Sequence, residues 1–334
     1  MGRNWASLPK PAPDGRGTGH ALRALLAACT LAAILPVKGL AQGLAQEQAP
    51  GHAQPFSFGV LAPLGETGLS LTAWREALAV TDADSLAFVV ANGIKASGES
   101  CSDRLYGQRK DILDSAKNGV ILSLAAGDWV DCKRANGRSA GVERLARLRE
   151  MFFSGEFSLG GTRLPLHRQS TIPMFRGYGE NARWEVGDIM FATLHLPADN
   201  NHYVADAGRN SEFEDRLIAN QDWLKRLFVL ATLRKMGGVV IFTDGDPDLL
   251  SERKRGAAIR RDGFREIRRA ISRRAAGFPG RVLVVHGQPA PDREPSDTIR
   301  WSGNLGVLAA GPAWTKVRVN PTAPALFSVA GGAR

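Results

Sequence analysis

Three cysteines in 334 residues leave little material for a cysteine-built metal scaffold. No second Cys or His stands at ligand spacing beside Cys101 or Cys132, so no structural zinc site is written into the chain. No block recurs at a fixed period and there is no long low-complexity tract, which excludes a solenoid or a propeller. The apolar run from Ala24 to Val37 is broken by Pro36 and followed by Lys38, short of the roughly 20 apolar residues that a membrane helix needs. Neither a stacking series of aromatics nor a nucleic-acid motif accompanies the basic residues, so nucleic acid is not an expected partner. What is present, 44% hydrophobic and 23% charged residues, suits a globular chain with a sizeable core.

The N-terminus differs in kind from the rest. Arg3, Lys10, Arg16 and Arg23 precede the apolar run, and the small residues Gly39 and Ala41 follow it, the pattern of a secretory signal cleaved after Ala41. A competing pattern, Leu26-Ala27-Ala28-Cys29, has the form of a lipoprotein signal and would leave an acylated Cys29. The expected organisation is a signal over 1–41, a flexible lead over 42–55, one folded domain over 56–329 and a tail over 330–334. With the signal removed, Cys101 and Cys132 remain as an even pair in a compartment that preserves disulfides. They are expected to bridge; two buried thiols are the alternative.

Apolar runs ending in loops mark strands at Phe56–Leu64, Leu86–Ile94, Gly119–Leu124, Val239–Thr243 and Arg281–His286. Helical spacing appears at Leu145, Leu148, Met151 and Phe152, and again at Leu217, Trp223, Leu224, Leu227 and Phe228. Ser154 to Arg176 keeps no period and is expected to pass over the strand ends. Val307–Ala309 and Trp314–Val319 read as late strands of an antiparallel return. A basic segment from Arg253 to Arg274, with Phe264, Ile267 and Ile271 as its apolar stripe, reads as a helix. Its charge gives two readings, a solvated face or a dock for anionic lipid or polymer.

The order of these strands, with Cys101-Ser102-Asp103 and Trp129-Val130-Asp131-Cys132, resembles the calcineurin-like metallophosphoesterases, most closely a group of exported bacterial members that carry both cysteine motifs. The resemblance runs from Phe56 to Phe327 and implies a four-layer α/β/β/α sandwich. In that family, strand ends supply carboxylates and imidazoles that hold two cations, which bind phosphate and activate the attacking water. Here the first aspartate falls at Ala62 or Pro63, and the second motif at Asn92-Gly93-Ile94. The third becomes Ala125-Ala126-Gly127-Asp128, and the last becomes His286-Gly287-Gln288-Pro289-Ala290.

The residues left for a vestigial cleft are Asn92, Asp128, His195, Asp244, Asp246 and His286, and none is assigned a catalytic role. Asp244, Asp246 and Asp248, alternating in the loop after an apolar strand, are the best oxygen donors if a metal binds. Asp128 and Asp131 also have a plain reading as loop hydrogen-bonders. Three functions follow from the pattern. One is an exported, degenerate phosphoesterase-like protein that needs no cofactor and acts by binding an unidentified partner in the envelope. Another is an active phosphoesterase with a rebuilt site holding Mn, Fe, Zn or Mg. The last is an envelope protein docking anionic polymer or lipid through the basic helix.

Overall fold

A computed structural model describes residues 54–64, 70–204, 210–250, 261–288, 298–311 and 313–330. The signal, Cys29, most of the lead over 42–55, Arg253 to Arg260, Pro289 to Pro295 and most of the tail lie outside the described residues.

The apolar runs become two sheets. The first contains β1 (Phe56–Leu61), β2 (Val89–Asn92), β3 (Val120–Ser123), β11 (Trp314–Val319) and β12 (Phe327–Val329), in the order β12-β11-β1-β2-β3. The second contains β4 (His167–Arg168), β5 (Ala182–Val186), β6 (Ile189–Thr193), β7 (Gly238–Thr243), β8 (Arg281–His286), β9 (Arg300–Ser302) and β10 (Leu305–Ala309), ordered β4-β5-β6-β7-β8-β10-β9. The strands β1, β2 and β3 run parallel, as do β6, β7, β8 and β10. Parallel strands need helices over their outer faces. These are α1 (Leu71–Asp82), α2 (Asp103–Asp114) and α3 (Gly141–Phe152) on one side, and α5 (Ser211–Leu233) and α6 (Arg265–Ala276) on the other; a single left-handed turn, α4 (Ala198–Asn201), precedes α5.

The two-residue pleat sorts every central strand into two cores. Phe58 and Val60 of β1, Val90 of β2, Phe191 of β6, Val240 and Phe242 of β7, and Leu283 and Val285 of β8 meet between the sheets. Their alternates, Val89 and Ala91 on one side and Met190, Val239, Ile241, Val282 and Val284 on the other, face the helices. The result is the four-layer α/β/β/α sandwich. Its centre is aromatic: Phe58 stacks on Phe88 at 5.3 Å, and Phe191 meets Phe88 edge-on at 4.8 Å. Such pairs add about 0.5–1.5 kcal/mol beyond the burial of their surface.

Helix ends follow local chemistry. Ser70 and Ser102 cap α1 and α2, accepting from Ala73 N at 3.1 Å and Leu105 N at 3.2 Å. Asp103 adds a carboxylate to the first turn of α2, where the helix dipole favours it. The bond between Cys101 and Cys132 is formed, tying the start of α2 to the loop after β3.

Three expectations change. Ser154 to Arg176 does not cross the strand ends; Leu159 exchanges backbone hydrogen bonds of 2.8 Å each way with Val120, so the segment covers the exposed edge of β3 at its beginning. The late strands part company, β10 joining β8 in parallel and β11 joining β1 antiparallel in the other sheet. The helix of the basic segment begins at Arg265, because Asp262 accepts from Phe264 N at 3.0 Å in a turn of residues 261–264.

Candidate functional site

The C-terminal ends of β1, β2, β3, β7 and β8 converge at one end of the sandwich. A Cβ on Gly287 would stand 1.7 Å from Asn92 Nδ2 and 3.3 Å from Pro63 Cδ, so glycine is what lets the two sheets close there. Gly93 turns the chain after β2 with φ +73°, where a side chain would also meet Ala125. Asn92, Ser123, Thr243 and His286 line a narrow gap between the sheets that admits no water-sized sphere.

Of the six sequence candidates, Asn92, Asp244, Asp246 and His286 gather at this end, with Asp128 beside Gly93. Asn92 is 3% exposed, and its Oδ1 has no hydrogen-bond partner. His286 is 1% exposed, and its Nε2 lies 3.7 Å from Asp246 Oδ2. Burial lowers the His286 pKa against the pull of the Asp246 carboxylate. Asp246 Oδ1 accepts from Asp248 N at 2.7 Å, closing a turn in which Asp248 has φ +57°.

The two buried carboxylates are held by backbone. Asp128 Oδ1 accepts from Ile94 N at 2.8 Å and Lys95 N at 3.0 Å, while Oδ2 accepts from Ala125 N at 2.9 Å. Burial pushes the Asp128 carboxyl up to about 6, opposed by these amides. Asp244 Oδ2 accepts from Ala126 N and Ala198 N, each at 2.7 Å. A bridging ligand has to present oxygen lone pairs to two cations. Asp128 presents both of its oxygens to amide hydrogens, and Asp244 presents Oδ2 to two of them. Among the described residues, no group of three or more His, Cys, Asp or Glu side chains is placed to hold a metal ion, so the donor set does not fit the dinuclear centre that the resemblance implies.

His195 lies apart. Its Nδ1 donates to Glu180 Oε1 at 3.1 Å, and Glu180 is gripped from the other side by Arg149, with Nη2 at 2.5 Å and Nε at 3.0 Å. Burial raises the Glu180 pKa, but Arg149 and His195 outweigh it and hold the carboxyl at about 2. Burial lowers the His195 pKa despite Glu180. The ring of Trp129 stands 5.7 Å from His195 and 4.7 Å from His202.

Around His195 is a buried polar network that the sequence reading missed. Asn181 donates to Gln169 and Asn220, Asn220 donates to the His195 carbonyl, and Arg216 reaches Glu212, Asn201 and the His195 carbonyl. The signal was present: Arg216 and Asn220 fall on the same face of α5 as Trp223 and Leu227, and a polar residue on a buried stripe needs buried partners. The network also holds α4. Asp199, Asn200, Asn201 and His202 all have φ between +51° and +57°, a run that only dense anchoring sustains. Asn200 and Asn201 anchor it to both polar groups of the Gly263 backbone.

No family model matches the chain. No curated protein sequence matches it either. A solved structure described as a novel phosphatase from Mycoplasma pneumoniae is similar to it, with a TM-score of 0.40 and 11% identity over 80% of this chain and 89% of that one. A likeness of that degree says nothing about chemistry.

Proposed function

We propose that the chain is an exported protein on a phosphoesterase-like sandwich that acts by binding, without metal-dependent hydrolysis. The observation that carries this reading is the use of Asp128 and Asp244: both are fully buried and accept backbone amides from the loops around them. Ala62, Pro63, Asn92 and Gln288 stand where the resemblance asks for further metal ligands. Export is supported by the signal pattern and by the Cys101–Cys132 bridge, a bond that persists in oxidising compartments. No helix among the described residues is long and apolar enough to cross a membrane.

A mononuclear rebuilt site is the second reading. It is favoured by the buried His286 ring, whose Nε2 lies 3.7 Å from Asp246 Oδ2. Metal analysis of the purified mature protein, with a phosphomonoesterase and phosphodiesterase screen in excess manganese, separates the two. The binding reading expects substoichiometric metal and background hydrolysis. Hydrolysis that is lost on chelation and in both Asp246→Ala and His286→Ala overturns it.

A further inference from the structure

We infer that the solvent-facing edge of α6, formed by Arg265, Arg269 and Arg273, is a docking surface for a linear polyanion. The reasoning starts from the opposite face. Ile267, Ile271 and Ala275 are at most 1% exposed and packed into the core beneath the second sheet, which fixes the rotation of the helix about its axis. Residues four apart are neighbours on a helix surface, and each step rises about 6 Å, so the three arginines form a slanted ridge about 12 Å long. All three are exposed.

Two other cations of the described segment are already engaged. Arg268 pairs with Asp262 at 2.7 Å and donates to the Pro247 carbonyl at 2.6 Å, and Arg261 lies over the ring of Tyr203 at 5.0 Å. Arg268 therefore fastens the helix to the strand-end loops and is not part of the docking row. Arg265 shares a 3.0 Å contact with its neighbour Glu266, whereas Arg269 and Arg273 make no ion pair or hydrogen bond through their side chains among the described residues. The chain has left these two guanidinium forks facing water.

A row of forks matches oxyanion groups repeated along a flexible chain, since each fork can donate to two oxygens of a phosphate or carboxylate. A bilayer fits less well. An interfacial helix holds a membrane by burying apolar side chains in it, and the apolar stripe of α6 is already inside the protein, with no large hydrophobic residue of α6 exposed. The surface is distinct from the strand-end site, so it stands whether or not that site hydrolyses anything.

The test is titration of the full mature protein with long-chain inorganic polyphosphate and with polygalacturonate at several salt concentrations. Anionic phosphatidylglycerol vesicles serve as the membrane comparison. Three neutralised anionic groups give a slope of log affinity against log salt near −2, hence about a 16-fold loss between about 50 and 200 mM salt. Arg269→Glu/Arg273→Glu should reduce the slope to about −0.7 or less and weaken binding at least tenfold at low salt. Arg75→Glu/Arg138→Glu makes the same change in net charge at two exposed sites elsewhere, and should leave binding within about twofold under the same electrostatic rule. Tighter binding of one polymer identifies the oxyanion. No polymer binding at low salt, equal loss in both double variants, or vesicle binding as tight as polymer binding overturns the inference.

Discussion

Asp128 is the side chain whose removal tests the reading of the strand-end site most directly. Asp128→Ala would strand the amides of Ile94, Lys95 and Ala125, all now bonded at 2.8–3.0 Å to a residue that is 0% exposed. An unsatisfied buried donor costs about 1–3 kcal/mol, so the gross penalty is about 3–9 kcal/mol. Water entering the vacated space would return part of it, leaving an expected loss of about 3–5 kcal/mol, a large share of the roughly 5–15 kcal/mol that holds a domain folded. Asp128→Asn should lose less, about 2 kcal/mol, because its oxygen can still serve Ile94 and Lys95 while its NH₂ faces the Ala125 N–H donor to donor. Equilibrium urea unfolding of the oxidised protein gives both values. Wild-type protein treated with chelator provides the control, and its unfolding midpoint should not move. The reasoning is refuted if Asp128→Ala changes stability by less than about 0.5 kcal/mol, or if chelation destabilises the wild type as much as the substitution does.

Glu180 should give the fold an acid limb: its carboxyl drops from 4.5 to about 2 on folding, so it contributes about 3 kcal/mol that is fully present above pH about 4.5 and lost as pH falls to about 2. His195, held neutral by burial, adds to the same limb below pH about 6.5; Glu180→Gln should flatten the stability profile between about 4.5 and 2, as measured by urea unfolding at stepped pH. Reducing the Cys101–Cys132 bridge, which joins residues 31 apart, should lower stability by about 3–4 kcal/mol, and a thermal midpoint indifferent to reductant would contradict this. Single restorations, Pro63→Asp or Asn92→Asp, should produce no manganese-dependent turnover of an aryl phosphate, because the remaining ligand positions stay empty of donors.

The sequence made seven of the strands and three helices plain because their signals are local. The runs at Val239 and Arg281 are apolar throughout, as parallel strands covered on both faces must be, and the stripe Leu145, Leu148, Phe152 became the buried face of α3. Phe264, Ile267 and Ile271 likewise pack as their spacing implies. Strand pairing was less legible. Nothing within Leu305–Ala309 or Trp314–Val319 distinguishes a partner in one sheet from a partner in the other, since that choice depends on distant surfaces. At the site, the identities Ala62, Pro63, Asn92 and Gln288 are plain in the sequence. The use of Asp128 and Asp244 as amide acceptors is not, because their partners are backbone groups, which leave no mark in side-chain identity.

The carboxylate of Asp244 ties two loops that no strand connects. The amide of Ala126, just beyond β3 in one sheet, and that of Ala198, in the chain leaving β6 in the other, end on the same oxygen. Each amide hydrogen is shielded until its bond to that oxygen breaks, and a parting of the two sheets at this end would break both. Their exchange with deuterium becomes a paired clock for one event, the parting of the two sheets at this end, and a ligand that wedges between the sheets would quicken both clocks together while one that clamps them would slow both.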